Sequence, residues 1–245
     1  MNNPDTSSKT PTINLKGVTK SFGNRIVLEA ISFQLTAGES LCICGVNAAG
    51  KTTLLRIIAA LLQPTEGTVE ICGFNLKTQT RKIKPLVGAI MHQSMVYPQL
   101  TVIENLRFFA ELYGLKNSNT RIQQLLEQMR LTPYRYDTPA ILSRGINQRL
   151  AIARALIHNP DILLADEPFT ALDSQAAGDL ITILQNFKNQ GGTVIMTTHH
   201  IDLSLNCCDK VAVLHDQKFI FNAKTSDINI SDFAQDYLSY ARKIS

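Results

Sequence analysis

Gly45-Val46-Asn47-Ala48-Ala49-Gly50-Lys51-Thr52 is the stretch from which the rest of the chain is read. It follows the pattern G-x-x-x-x-G-K-T of a phosphate-binding loop. Ahead of it, Ser40-Leu41-Cys42-Ile43-Cys44 is a short apolar run between Gly38 and Gly45, as a buried strand would be. Behind it, Leu54, Leu55, Ile57, Ile58, Leu61 and Leu62 recur at a helical spacing that predicts a helix over 52–62. Between strand and helix, successive amide N–H groups can curl round phosphates, and the helix start adds partial positive charge. Lys51 brings a full charge toward the β- and γ-phosphates of a nucleoside triphosphate, and the Thr52 hydroxyl can ligate Mg²⁺. Thr53 is grouped with the nucleotide-binding residues. The bland alternative, a glycine-rich turn with a chance lysine, is disfavoured because both flanks are right.

Length and composition narrow the classes. A chain of 245 residues suits one large domain, or a core with a smaller insert. The net charge of +4 is spread along the chain without a basic block, so charge does not imply nucleic acid. The longest apolar runs fall well short of the roughly 20 residues that span a bilayer. No charged n-region followed by an apolar h-region opens the chain. Cys42, Cys44, Cys72, Cys207 and Cys208 form neither a C-x-x-C pair nor a zinc spacing with His. They are expected as small buried hydrophobes in a reducing compartment.

In chain order, residues 1–12 are polar and expected to be disordered. Ile13 to Val18 alternates as a half-buried strand, Phe22-Gly23 turns, and Ile26 to Leu35 is a second strand. The Phe22 ring suits stacking on a purine base and equally suits packing on its own strand, and spacing does not choose. Pro64 to Gly67 predicts a turn, Thr68 to Ile71 a strand, and Val87 to Met91 an apolar run ending at His92-Gln93. Thr101 to Tyr113 and Thr120 to Leu131 are helical in pattern, with Thr101 as N-cap and Glu104 at the capping-box position. This block reads as a helical insert between two halves of an α/β core, with boundaries at 13–93 and 159–223 for the core and 94–158 for the insert. Leu142 to Arg149 leads into a helix over Leu150 to Ile157. Then come a buried strand, Ile162 to Ala165, an amphipathic helix, Ala176 to Asn189, and a second buried strand, Thr193 to Thr197. Val211 to Leu214 and Phe219 to Phe221 predict a terminal hairpin, and 224–245 a helical tail.

A second set of candidates follows those late strands. An apolar strand ending in Asp166 can hold Mg²⁺ opposite the Thr52 hydroxyl. Glu167, next in the chain, is placed to orient or deprotonate an attacking water. His199 follows another buried strand and would reach the same sheet edge, where ligands bind in α/β folds. Each has a structural reading too, a strand-to-turn corner or a packed histidine, and position after a matched phosphate loop favours the functional one.

Together these residues resemble the ATP-binding subunit of an ABC transporter over about residues 13–222. The motifs agree in order and spacing: Phe22 of the adenine-stacking loop, the Walker A loop at 45–52, Gln93 of the Q-loop, Leu142-Ser143-x-Gly145 of the family signature, Walker B ending at Asp166-Glu167, Ala171-Leu172-Asp173 of the D-loop, and His199 of the switch. The resemblance implies an ABC ATPase fold, a P-loop NTPase core of α/β class with an N-terminal antiparallel β-subdomain and a helical insert. It implies ATP and Mg²⁺ as ligands, with Thr52, Gln93 and Asp166 around the metal. Two cassettes would dimerise head to tail, each ATP lying between the Walker A loop of one and Ser143 and Gly145 of the other. Glu167 would be the general base, His199 the γ-phosphate partner, and Gln93 the sensor linking core to insert. The surface near Tyr97 to Leu100 would receive a transmembrane permease subunit, leaving the cassette peripheral on the cytoplasmic face.

Two positions depart from the family pattern: Ala48 and Arg144 stand where glycine is usual. His92-Gln93-Ser94, Tyr97-Pro98, Glu104-Asn105-Leu106 and Leu112-Tyr113-Gly114 resemble the haem-exporter cassette of cytochrome c maturation, a pattern shared with drug, lipid and ion exporters. Two rivals are a nucleic-acid-handling ABC ATPase, which would carry two cassettes or coiled-coil or zinc inserts, and a cassette that binds ATP without turnover. No nucleic-acid partner is expected.

Overall fold

The computed structural model describes residues 11–91, 95–170, 172, 174–198, 205, 207–229, 232–233 and 237. Gln93, His199, Ala171 and Asp173 lie outside the described residues, as do the tail at 1–10 and most of 230–245.

Ile13, Leu15 and Val18 put one apolar face on β1 (Ile13–Phe22), which pairs antiparallel with β2 (Arg25–Leu35) and β4 (Glu66–Ile71). With the two-residue β5 (Phe74–Asn75) these make a four-stranded antiparallel sheet in the order β2-β1-β4-β5. β1 runs on to Phe22, which pairs with Arg25, so Phe22 ends a strand and the turn holds Gly23 and Asn24. Gly67 lies inside β4, not in the turn before it; a Cβ there would come within 2.3 Å of the Gly17 carbonyl oxygen.

The second sheet has six strands in the order β10-β9-β3-β8-β7-β6. β3 (Ser40–Cys44), β7 (Ile162–Asp166) and β8 (Thr193–Thr198) are buried at every residue, as central parallel strands covered on both faces must be. β6 (Val87–Ile90) and β9 (Lys210–His215) flank them in parallel, and β10 (Lys218–Lys224) closes the edge antiparallel to β9. The twofold repeat divides the core: Cys42, Cys44, Leu163, Ala165, Val194 and Met196 face one cluster. Leu41, Ile43, Ile162, Leu164 and Ile195 face the other, which includes the antiparallel sheet. Cys42, Cys44, Cys207 and Cys208 are buried and Cys72 half-buried, all as free thiols.

α1 (Lys51–Ile58) buries Leu54, Leu55, Ile57 and Ile58 completely, about 1.5–3 kcal/mol each. It stops four residues short of the predicted end. Ala60 takes φ +56°, and Leu61 N and Ala60 N donate to the Arg56 and Ile57 carbonyls, closing the helix without a glycine. α2 (Leu76–Ile83) is a short polar helix that the apolar periodicity did not reveal. α3 (Val102–Leu112) begins as expected: Glu104 N donates to Thr101 Oγ1 at 3.3 Å and Thr101 N donates to Glu104 Oε2 at 2.8 Å. α4 (Asn119–Gln128), α5 (Arg144–Leu156) and α6 (Ser174–Asn189) complete the helical face of the first cluster. α5 starts six residues before the predicted Leu150, directly after Ser143. A groove of about 420 Å³ between α4, α5 and α6 is bridged by Asp179, paired with Arg149 at 2.8 Å and Arg130 at 3.4 Å. Among the described residues no helix is long and apolar enough to cross a membrane.

Candidate functional site

The carboxyl ends of β3, β7 and β8 meet at one edge of the parallel sheet, and the sequence candidates Lys51, Thr52, Asp166 and Glu167 converge there. The loop leaving β3 is shaped by its glycines. A Cβ on Gly45 would lie 2.5 Å from the Leu214 carbonyl oxygen, and one on Gly50 would lie 2.8 Å from that of Val27. Gly50 also has φ +107° and forms the N-cap of α1. It offers no side-chain cap, and the first turn of α1 holds no acidic residue, so the helix start is prepared for an external anion. Ala48 sits at φ +64°, the left-handed region in which glycine is at ease and alanine is not.

Lys51 is only 7% exposed yet carries a charge. Its Nζ donates to the Gly45 carbonyl at 2.6 Å and to that of Val46 at 3.2 Å, and lies 3.6 Å from Glu167 Oε1. The loop thus wraps its own cation, with Glu167 as counter-charge. Thr52 Oγ1 donates to Asp166 Oδ2 at 2.8 Å, while Thr197 Oγ1 donates to Asp166 Oδ1 at 2.6 Å. Both carboxylate oxygens are therefore oriented. Glu167 N donates to the carbonyl and hydroxyl oxygens of Thr197 at 3.1 and 3.2 Å, and Glu167 takes φ +52°. That turn aims its side chain back toward Lys51 rather than along the strand. A hydroxyl beside a carboxylate is a hard-oxygen pair, the donor chemistry Mg²⁺ accepts together with substrate phosphates, so these residues fit that ion.

These side chains border a cleft of about 490 Å³, whose walls also include Arg25, Asn47, Thr53 and Thr170. A neighbouring hollow of about 720 Å³ shares Arg25, Asn47, Ala48 and Ala49 and extends to His215 and Gln217. Val46 and Gly50 of the predicted loop also line these walls, whereas Gly45 borders neither hollow. Phe22 borders neither; it is half exposed, with Lys20 Nζ 5.0 Å from its ring centroid. Ser143 and Gly145 do not border the cleft either. Ser143 is the N-cap of α5, accepting from Ile146 N at 3.4 Å, and Gly145 lies in the first turn. Sequence reasoning passed over Thr197 and Arg25. Thr197 carried a signal, being a hydroxyl inside an otherwise apolar buried strand; Arg25, at the start of a strand, carried none.

The family model described as "ABC transporter" matches residues 28–170. The chain belongs to the ABC transporter family. The cassette is 34% identical over 209 residues to the ABC transporter ATP-binding protein NatA of Bacillus subtilis, covering 84% of this chain and 85% of that protein. It is 33% identical over 222 residues to Nod factor export ATP-binding protein I of Ralstonia nicotianae, covering 89% and 69%. Among solved structures it resembles the ATP-binding cassette MJ0796, described as a dimeric post-hydrolysis state bound to ADP and Pi. That match has a TM-score of 0.80 and 31% identity, over 87% of this chain and 98% of the other. The ABC ATPase fold is that of the neighbours, and the cassette is an ATPase.

Proposed function

We propose that this cassette powers solute export as a head-to-tail homodimer on the cytoplasmic face of a membrane, bound to a separate transmembrane permease subunit. The observation that carries this reading is the hydrogen-bonded set Thr52–Asp166–Thr197 beside the Lys51–Glu167 pair, at the mouth of a loop built to take phosphates.

ATP phosphates would lie along the amides from Asn47 to Thr53, against the open start of α1. Lys51 already points into the curl of the loop, and phosphate oxygens would replace the Gly45 and Val46 carbonyls as its acceptors. Mg²⁺, when bound, neutralises charge on the β- and γ-phosphate oxygens; Thr52 and Asp166, with Gln93, are the residues that would hold it. Glu167 would accept a proton from the attacking water, or orient it, as general base. His199 would meet the γ-phosphate. Ser143 and Gly145 of a second copy would close over the same nucleotide; the ADP- and Pi-bound MJ0796 dimer supports such an assembly.

Export is the direction favoured by the relatives: Nod factor export proteins, and the linearmycin resistance protein LnrL of Bacillus subtilis at 30% identity. Tyr97 and Phe108, both partly exposed and 4.8 Å apart between ring centroids, support the surface near Tyr97 to Leu100 as the permease-facing one. Within export, the haem-exporter reading rests on the motif residues between 92 and 114 alone. Affinity purification from membranes is expected to bring down a polytopic chain, and inverted vesicles holding both are expected to accumulate solute on adding Mg·ATP. ATP-driven accumulation of haem would fix the solute. Accumulation of another solute but not haem would keep export and remove haem. ATPase activity with no membrane partner would sink the transport reading.

A further inference from the structure

Arg154 lies near the end of α5, and its side chain is spent inside the protein, 7% exposed. Among the described residues no carboxylate pairs with it and its Nε has no hydrogen-bond partner, and burial depresses its pKa. A buried, unpaired guanidinium is costly, and an apolar residue of the same length would pack there more cheaply. What it does reach spans three elements. Nη2 donates to the Ala89 carbonyl oxygen, at the end of β6, the strand whose chain runs on to Gln93. Its guanidinium carbon sits 5.4 Å from the centroid of the Phe109 ring on α3. Phe109 in turn lies 6.1 Å from Tyr97 and 5.3 Å from Phe108, ring to ring.

Two further contacts close the same seams. Gly88 of β6 lets α5 approach so near that a Cβ there would stand 2.3 Å from the Ala155 carbonyl oxygen. Tyr113, just past α3, stacks on His158 at 3.8 Å and 10° between planes. Burial holds His158 down to about pKa 4, so this ring stays neutral beside Arg154.

We propose that Arg154 is a positioning residue that ties β6, α3 and α5 together at one point, where the helical insert meets the core sheet. The permease-facing aromatics, the strand leading to Gln93 and the helix that starts at Ser143 then keep their relative placement at that point when the dimer closes. The inference rests on the head-to-tail reading above for what that movement accomplishes.

Arg154→Gln removes the charge and the plane over Phe109, and Arg154→Lys restores a cation able to reach Ala89. In the purified wild-type-length protein, Arg154→Gln is expected to lower kcat by about 10–100-fold, the scale of a displaced catalytic geometry, with KM for ATP within about twofold. Arg154→Lys is expected to recover much of kcat. In the Glu167→Gln background, Arg154→Gln should bind ATP normally as a monomer and fail to dimerise. A folded Arg154→Gln with wild-type kcat and intact ATP-driven dimer overturns the proposal, as do Gln and Lys variants equally impaired. Should Arg154→Gln not fold, Phe109→Leu decides, since it removes the ring beneath the guanidinium and leaves the bond to Ala89. Lowered kcat at unchanged KM supports the role, and wild-type kcat overturns it. If Glu167→Gln alone never dimerises with ATP, the head-to-tail reading has failed, and the kcat comparison still judges Arg154.

Discussion

The start of α1, entered from Ala48-Ala49-Gly50, and the start of α5, entered from Ile141-Leu142-Ser143, are both helix N-termini, and they are finished very differently. At α1 the loop folds back on itself: Lys51 is buried against two loop carbonyls and Glu167, and Thr52 is tied to Asp166. At α5, Ser143 and Arg144 are exposed and the first turn holds no acidic residue, so among the described residues this helix start is left open. One end is preorganised by its own chain; the other is presented to something outside it. On the head-to-tail reading proposed above, a monomer built this way would bind nucleotide with one half of the site and take the other half from a second copy.

The sharpest way to break that contrast is Glu167→Gln. Glutamine keeps the shape and loses the basicity, while Asp166 remains held by Thr52 and Thr197. ATP hydrolysis is expected to fall by about 10²–10⁴-fold with binding retained. Trapped ATP favours the closed pair, so light scattering should find monomer without nucleotide and dimer with ATP. Hydrolysis at the wild-type rate would move the base elsewhere.

Ser143→Arg attacks the other end. If α5 serves a partner's nucleotide, a bulky cation at its N-cap should lower turnover by about 10²–10³-fold, the cost of losing one preorganised donor at a reacting phosphate. It should abolish the ATP-driven dimer of Glu167→Gln, yet leave the affinity of the monomer for a fluorescent ATP analogue unchanged. Loss of that monomer affinity would mean that both ends act within one chain.

How much of this was legible beforehand also divides by region. β3, β7 and β8 announced themselves because burial on both faces makes an unbroken apolar run, and α3 because Thr101 and Glu104 form a complete capping box. α5 concealed its start because its third position is Ile146, so the cap at Ser143 lacks the acidic half of that signature. α1 concealed its end because Ala60 takes the left-handed position where glycine would have marked the stop. α2 was invisible, being polar on most of its surface and burying only Leu76 and Ile83. In the site, the loop motif located Lys51 and Thr52, but the orienting role of Thr197 is a cross-strand hydrogen bond, a relation between positions 31 apart that no local pattern carries.

Phe22 tests where the preorganised end stops. Its ring is half exposed and outside both hollows, with Lys20 over one face. If it stacks on adenine, Phe22→Ala should weaken ATP by about 1–3 kcal/mol, the range for base–aromatic stacking, and Phe22→Tyr should be nearly silent. Unchanged affinity in the alanine variant, measured by nucleotide titration, would confine the binding site to the phosphate end.

The smallest effect is expected at Ala48, and its sign is informative. At φ +64° its Cβ crowds the backbone, costing roughly 1–2 kcal/mol. Ala48→Gly removes that cost but gives the unfolded chain more freedom, which subtracts about 0.4–1 kcal/mol. The methyl is exposed, so no packing is lost. The balance favours glycine by between about 0 and 1.6 kcal/mol, a rise in Tm of at most about 6 °C for a domain of this size. ATP affinity should barely move, because the loop conformation is the one already adopted. Ala48→Val pushes the other way, since a β-branched residue at positive φ is more strained still. Calorimetry should therefore rank glycine above alanine above valine. If glycine lowers Tm, or valine leaves it unchanged, the left-handed turn at Ala48 is not under strain, and the loop pays nothing for departing from glycine there.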